Sequence, residues 1–173
     1  MIFKTVFEHI SRMRNPVKYW RKRGARIGEN CYIVSSVSFG SEPFLVTVGD
    51  HVRLTSDVQL ITHDGGVWVL RELYPELKDI DVFGRIKLGN NIHIGVSTII
   101  MPGVTIGDNS IIGAGAVVTK DIPANSIAVG VPARVIKTLD EYIDKNEHRF
   151  EHTKGMSLEE KRAYLIKKYG TDA

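Results

Sequence analysis

A chain of 173 residues with 43% hydrophobic and 25% charged residues has the composition of a soluble globular domain and can bury a core without disulfides or a structural metal. No apolar run approaches the roughly 18 residues needed to span a membrane, and the opening segment MIFKTVFEHISRMR carries scattered charges and no small-residue cleavage site, unlike a secretory signal. Cys31 is the only cysteine, which excludes disulfide frameworks, CxxC pairs and cysteine-based zinc sites and makes a reducing cytoplasm the expected location, while the net charge of +3 is too small to argue for nucleic acid.

Residues 1–26 read as a basic N-terminal helical segment. Ile2, Phe3, Val6, Phe7, Ile10 and Met13 fall at helical spacing and predict a stripe that packs on the rest of the domain. Seven residues between 12 and 26 are basic (Arg12, Arg14, Lys18, Arg21, Lys22, Arg23 and Arg26) and none is acidic. Such a run suits a membrane surface, a phosphate or nucleic acid. It lacks the interleaved aromatics of a base-stacking platform, since Tyr19 and Trp20 are adjacent and on a helix do not share a face. A solvated face is therefore expected in preference to nucleic acid or a peripheral membrane contact.

From residue 27 a period of six takes over. Cut from residue 88, the sequence reads LGNNIH, IGVSTI, IMPGVT, IGDNSI, IGAGAV, VTKDIP. The first column holds Leu88, Ile94, Ile100, Ile106, Ile112 and Val118, and the fifth holds Ile92, Thr98, Val104, Ser110, Ala116 and Ile122. Glycine recurs in the second column at Gly89, Gly95, Gly107 and Gly113. The same phase is found upstream in IGENCY, IVSSVS, VGDHVR and LTSDVQ. A period of six fits neither a helix nor a single strand. It fits a solenoid in which each hexad is a short strand and a corner, three hexads closing one triangular coil. Glycine and Asn/Asp are expected at the corners, where φ is positive.

The period breaks twice. FGSEPFLVT places Glu42 and Pro43 at an extra turn, and HDGGVWVLRELYPELKDIDVFGR interrupts the hexads from His63, giving a projecting loop over 64–85. Loops on one face of a solenoid are where repeat proteins place function. After residue 138 the chain becomes charged and helical, and Ser157-Leu158-Glu159-Glu160 reads as a capping box opening a C-terminal helix.

The hexads, together with the closing run IGDNSIIGAGAVVTKDIPANSIAVGVPARVIK, resemble the hexapeptide-repeat acyltransferases over about residues 27–137. Sugar and polysaccharide O-acetyltransferases are the most similar members, with galactoside and maltose acetyltransferases as relatives. The resemblance implies a mainly β, left-handed parallel β-helix with helical ends. It also implies transfer of acetyl from acetyl-CoA to a sugar or polysaccharide-precursor hydroxyl, a homotrimer, and no metal requirement.

His63 stands where the repeat stops, before Asp64 and two glycines. A neutral imidazole is suited to take a proton near pH 7, and the resemblance places the family's catalytic histidine at this break. Glu42, Asp57 and Asp64 are open candidates for orienting it. Glu42, Asp64 and Trp68 are candidate acceptor contacts. For the coenzyme, the resemblance points to Ala114, Thr119, Arg134 and Lys137, and to a contact at Val96 beside Gly95. Relatives place serine at that position, so the contact here falls to backbone. Lys120 is a further candidate phosphate partner. His93 replaces the tryptophan of the relatives' motif and is a second candidate site histidine.

Three rival readings are set beside this one: amine acetylation of an amino-sugar or antibiotic, a non-enzymatic scaffold, and a metal-dependent carbonic anhydrase. The last needs three histidines around one zinc, and His51, His63 and His93 lack close pairing in sequence.

Overall fold

The computed structural model describes residues 10–170. Of the predicted N-terminal stripe, Ile2, Phe3, Val6 and Phe7 lie outside the described residues. By internal contacts the chain divides at Leu139 into a large unit and a C-terminal unit beginning at Asp140.

The large unit is a solenoid of short strands. In chain order these are β1 (Arg26–Ile27), β2 (Tyr32–Ile33), β3 (Val46–Val48), β4 (Val52–Leu54), β5 (Gln59–Leu60), β6 (Ile86–Leu88), β7 (Ile92–Ile94), β8 (Ile99–Ile100), β9 (Thr105–Ile106), β10 (Ile111–Ile112), β11 (Val117–Val118), β12 (Ser126–Val129) and β13 (Arg134–Thr138). They form three walls: a four-stranded sheet β1-β3-β6-β9, a six-stranded sheet β2-β4-β7-β10-β12-β13 and a three-stranded sheet β5-β8-β11. Every pairing is parallel except that of β12 with β13.

The register states the period physically. Leu88 pairs with Ile106, Ile94 with Ile112 and Ile100 with Val118, a constant step of eighteen residues or three hexads. These six residues are 0 to 1% exposed, because each hexad sends its first side chain inward onto its counterparts in adjacent coils. The fifth-column residues are buried too, Thr98 and Ser110 among them. Their hydroxyls donate to the carbonyls of Gly113 and Gly107 at 3.1 and 2.7 Å, which meets the need of a buried polar group for a partner.

The corners differ from expectation in one respect. Positive φ falls on the fourth hexad position, at Asn30, His51, Asp57, Asn91, Ser97, Gly103, Asn109 and Gly115, and not on the second-column glycines. Those glycines answer to close approach instead. A Cβ on Gly95 would stand 2.4 Å from the backbone nitrogen of Ala114 in the next coil.

Helix α1 (Pro16–Lys22) opens on Asn15, whose side chain accepts from the Lys18 N–H, and buries Trp20. Trp20 stacks on Phe39 with ring centroids 4.8 Å apart. The basic run is consequently not wholly a solvated face. Arg12 donates to the Val37 carbonyl at 2.8 Å, and Arg21 reaches the Ile27 and Gly28 carbonyls and Glu29. Among the described residues, no helix is long and apolar enough to cross a membrane.

The C-terminal unit contains α3 (Leu139–Asn146) from its second residue on, and all of α4 (Leu158–Tyr169). Helix α4 begins at the Ser157–Glu160 capping box. Glu151 receives hydrogen bonds from Lys168, Tyr164 and Tyr169, which in that order hold its carboxyl down at about 2.

Candidate active site at the broken corner

The two breaks meet at one edge of the solenoid. Across the first break the register steps from Ile27 to Val48, twenty-one residues, and across the second from Leu60 to Ile100, forty. The coils therefore carry three and twenty-two residues beyond the regular step, both at the corner between the three-stranded and four-stranded sheets. The first excess brings Glu42 to the level of the next coil. Gly40 makes the approach possible: its φ is +67°, and a Cβ there would lie 2.6 Å from Thr62 Oγ1 and 2.9 Å from the Leu60 carbonyl.

Glu42 Oε2 accepts the Thr62 hydroxyl at 2.6 Å and faces His63 Nδ1 at 3.1 Å. The Thr62 hydroxyl, and after it the His63 hydrogen bond, hold the Glu42 carboxyl below its ordinary value. An ionised carboxylate only accepts, so Nδ1 carries the proton between the two groups, and in the neutral form of the ring the lone pair is at Nε2. The His63 side chain is 42% exposed and that of Glu42 19%, which leaves the imidazole accessible above a shielded carboxylate.

The second excess forms the projecting loop, closed at its root by backbone. Asp64 N–H donates to the Val82 carbonyl and Gly84 N–H to that of Thr62, both at 2.9 Å, with His63 bridged to Phe83. Asp64 Oδ1 accepts from Gly66 N–H at 2.8 Å, just before α2 (Val67–Leu73). Arg71 on that helix binds the Ile80 carbonyl and pairs with Asp81. Trp68 on the same helix is 71% exposed.

Of the residues singled out in the sequence, His63, Glu42, Asp64 and Trp68 line one cleft of about 370 Å³. Asp57 lies on another edge, between β4 and β5, where its N–H donates to Ser36 Oγ. Glu42, expected both as an orienting group and as an acceptor contact, has Oε2 committed to Thr62 and the imidazole, and this geometry favours the positioning role. Thr62 was not predicted. Its signal was present, because the three-residue excess of the first coil already places Glu42 level with residues 62 and 63.

The coenzyme candidates fall into three groups. Gly95 and Ala114 stack at the corner between the six- and three-stranded sheets, where Gly115 N–H donates to the Val96 carbonyl at 2.8 Å. Thr119 and Lys120 follow β11 on the same edge as His63, two coils away and thus roughly 10 Å along the axis at about 4.8 Å per strand. Arg134 and Lys137 lie on β13. The outer face of the three-stranded sheet, carrying Gln59, Ile99 and Val117, joins the first two groups. Among the described residues, no group of three or more His, Cys, Asp or Glu could hold a metal ion.

The comparisons with known proteins agree with this architecture. The family described as bacterial transferase hexapeptide (six repeats) matches residues 85–120. The chain is 48% identical over 151 residues to Protein CapG of Staphylococcus aureus, covering 86% of each. It is 39% identical over 150 residues to the galactoside O-acetyltransferase of Escherichia coli (strain K12), covering 86% of this chain and 69% of that one. This chain belongs to the hexapeptide-repeat acetyltransferase family. A solved galactoside acetyltransferase in complex with coenzyme A superposes with a TM-score of 0.62 at 31% identity, over 90% of this chain and 88% of that one. The acetyltransferase thus shares its fold with that relative over nearly its whole length.

Proposed function

We propose that this acetyltransferase moves an acetyl group from acetyl-CoA to a hydroxyl of a sugar or polysaccharide precursor, with His63 as general base. The observation that carries the reading is the Thr62–Glu42–His63 arrangement at the root of the loop. Glu42 holds Nδ1–H and stabilises the imidazolium that forms when Nε2 takes the acceptor's proton. The freed oxygen attacks the thioester carbonyl directly, the C–S bond breaks, and the departing coenzyme thiolate takes up the proton held by His63, so no residue of the chain forms a covalent bond. Asp64 and Trp68 contact the acceptor in the cleft.

The coenzyme lies along the three-stranded wall. Its pantetheine passes the small corner of Gly95 and Ala114, and Thr119 sits on the His63 edge of the same wall. Arg134, Lys137 and Lys120 meet its phosphates. Backbone approach at Gly95, where even a methyl group would strike the next coil, supports a snug surface there. The solenoid is left-handed, as the resemblance implies, and the protein is a homotrimer in which a neighbouring coil closes the cleft. The exposed apolar side chains of the loop, Trp68, Val69 and Leu73 at 71, 51 and 64%, support such a contact.

The test is thiol release from acetyl-CoA over a panel of saccharides, wild type against His63→Ala. The reading requires saccharide-dependent release that the variant loses. Sedimentation giving a fully active monomer would remove the trimer.

A further inference from the structure

A second concavity, of about 420 Å³, lies on the outer face of the six-stranded sheet. Strand register puts Tyr32, Arg53, His93 and Ile111 in one line across four coils. The line is flanked by a corner ladder: His51 Nδ1 donates to Asn91 Oδ1 at 2.9 Å, Asn91 to Asn109 at 2.9 Å and Asn109 to Asn125 at 3.0 Å. Each amide keeps spare hydrogen-bonding capacity after the ladder is made.

The charge of this groove is one-sided. No Asp or Glu lines it. Arg53 lies over the Tyr32 ring at 5.2 Å and has no carboxylate partner among the described residues, which leaves its guanidinium donors for a ligand. Burial, and after it the Arg53 charge, holds the His93 imidazole below its ordinary value, which keeps it a neutral hydrogen-bonding group at pH 7. The cleft at His63 differs, with three carboxylates (Glu42, Asp64 and Asp81) against one cation, Arg71, which pairs with Asp81. The balance of charge favours an anion in the groove over the cleft.

We propose that this groove binds the anionic group of a saccharide, a carboxylate or a phosphate gripped by Arg53, with ring hydroxyls on the Asn91–Asn109 edge. Within one chain it is an anion-reading subsite that shares no lining residue with the His63 cleft. That the ligand is a saccharide rests on the function proposed above; the anion preference rests on the groove alone. The two fail separately, because binding is measured without acetyl-CoA.

The experiment is calorimetry and saturation-transfer NMR on the full chain with galactose, galacturonate and galactose 6-phosphate. The charged sugars should bind about ten- to a hundredfold more tightly than galactose, the range of one charge-assisted contact. Arg53→Gln should erase that difference, Arg53→Lys should keep part of it, and His63→Ala should leave it intact. Preference for galacturonate alone identifies a carboxylate ligand, and preference for the phosphate alone a phosphorylated one. Equal binding of all three sugars, no binding of either anion, or a wild-type preference in Arg53→Gln overturns the proposal. Dissociation of the oligomer in Arg53→Gln without anion binding in the wild type assigns the groove to subunit packing instead.

Discussion

The coils from Leu88 to Val118 and the corner from Thr62 to Gly84 belong to the same solenoid and follow different rules. In the coils every position answers to its counterpart eighteen residues away, and the inward side chains vanish from solvent. At the corner the register steps of twenty-one and forty leave residues with no counterpart, and the proposed active site is built around those surplus residues. Three surplus residues bring Glu42 to His63, and twenty-two bring the helix with Trp68 and the Arg71–Asp81 pair. A solenoid can hold such a site rigidly because the coils above and below the insertion stay in register. Stability and catalysis should therefore be separable by mutation.

The largest separation is expected at His63. Removing a general base costs roughly 10² to 10⁴ in rate, so His63→Ala should lower turnover by that factor. The Michaelis constant for acetyl-CoA and the thermal midpoint should stay near wild type. If the coenzyme's Michaelis constant alone rose, the histidine would be a binding residue and the contrast would collapse. The opposite signature belongs to Ile100, fully buried in the repeat. Ile100→Ala should destabilise by about 2 to 5 kcal/mol in urea titration, with near-normal kinetics in the folded fraction.

Most of the regular region was legible in the sequence because its contacts recur at a fixed step. The columns headed by Leu88 and Ile92 both proved buried, down to the polar members Thr98 and Ser110. The reason for the second-column glycine was misread. Positive φ belongs to Asn91, Ser97 and Asn109 two positions later, while Gly95 is needed for coil-to-coil approach. His63 could be picked out because the pattern stops there. Its partner could not be chosen among Glu42, Asp57 and Asp64, since that choice depends on which edge each corner occupies. The line of Tyr32, Arg53 and His93 was hidden for a related reason. Its members are twenty-one and forty residues apart and meet only once the insertions are counted.

Glu42→Gln tests the corner more finely. The shape is kept and the charge that stabilises the imidazolium is lost, so turnover should fall about ten- to a hundredfold, the value of one hydrogen bond to a charged group. The same variant carries a pH signature. The native Glu42 carboxyl titrates below its ordinary value of 4.5, so around that pH the unfolded chain binds more protons. The stability it lends is complete above that ordinary value and disappears as pH falls through the lowered native one. Denaturation curves of wild type and Glu42→Gln should converge on acidification. Curves that stay parallel would mean that the carboxylate is not held by Thr62 and His63.

Arg134 and Lys137 sharpen the contrast from the coenzyme side. The phosphates do not change charge during acyl transfer, so cations placed on them as proposed would serve ground state and transition state alike. Alanine at either position should raise the acetyl-CoA Michaelis constant, with each contact worth about 1 to 3 kcal/mol, and leave turnover little changed. The penalty should shrink with a dephosphorylated coenzyme analogue. A loss confined to turnover would move these residues into the reacting centre.

The smallest effect on catalysis is expected from the C-terminal unit. Its first residue, Asp140, follows β13, which ends at Thr138, and every coenzyme candidate lies at or before Lys137. The unit's own order rests on local devices: the Ser157–Glu160 capping box and the bonds from Tyr164, Lys168 and Tyr169 to Glu151. Ser157→Ala removes a cap that typically contributes about 1 kcal/mol, so hydrogen exchange in the first turn of α4 should quicken while β7 and β8 keep their protection. A chain ending at Leu139 should still release thiol from acetyl-CoA in a His63-dependent way. If that shortened chain folds, shown by unchanged exchange in β7 and β8, yet no longer binds the coenzyme, then residues beyond Leu139 contribute to the coenzyme site, and chemistry is not confined to the interrupted corner and its neighbouring wall.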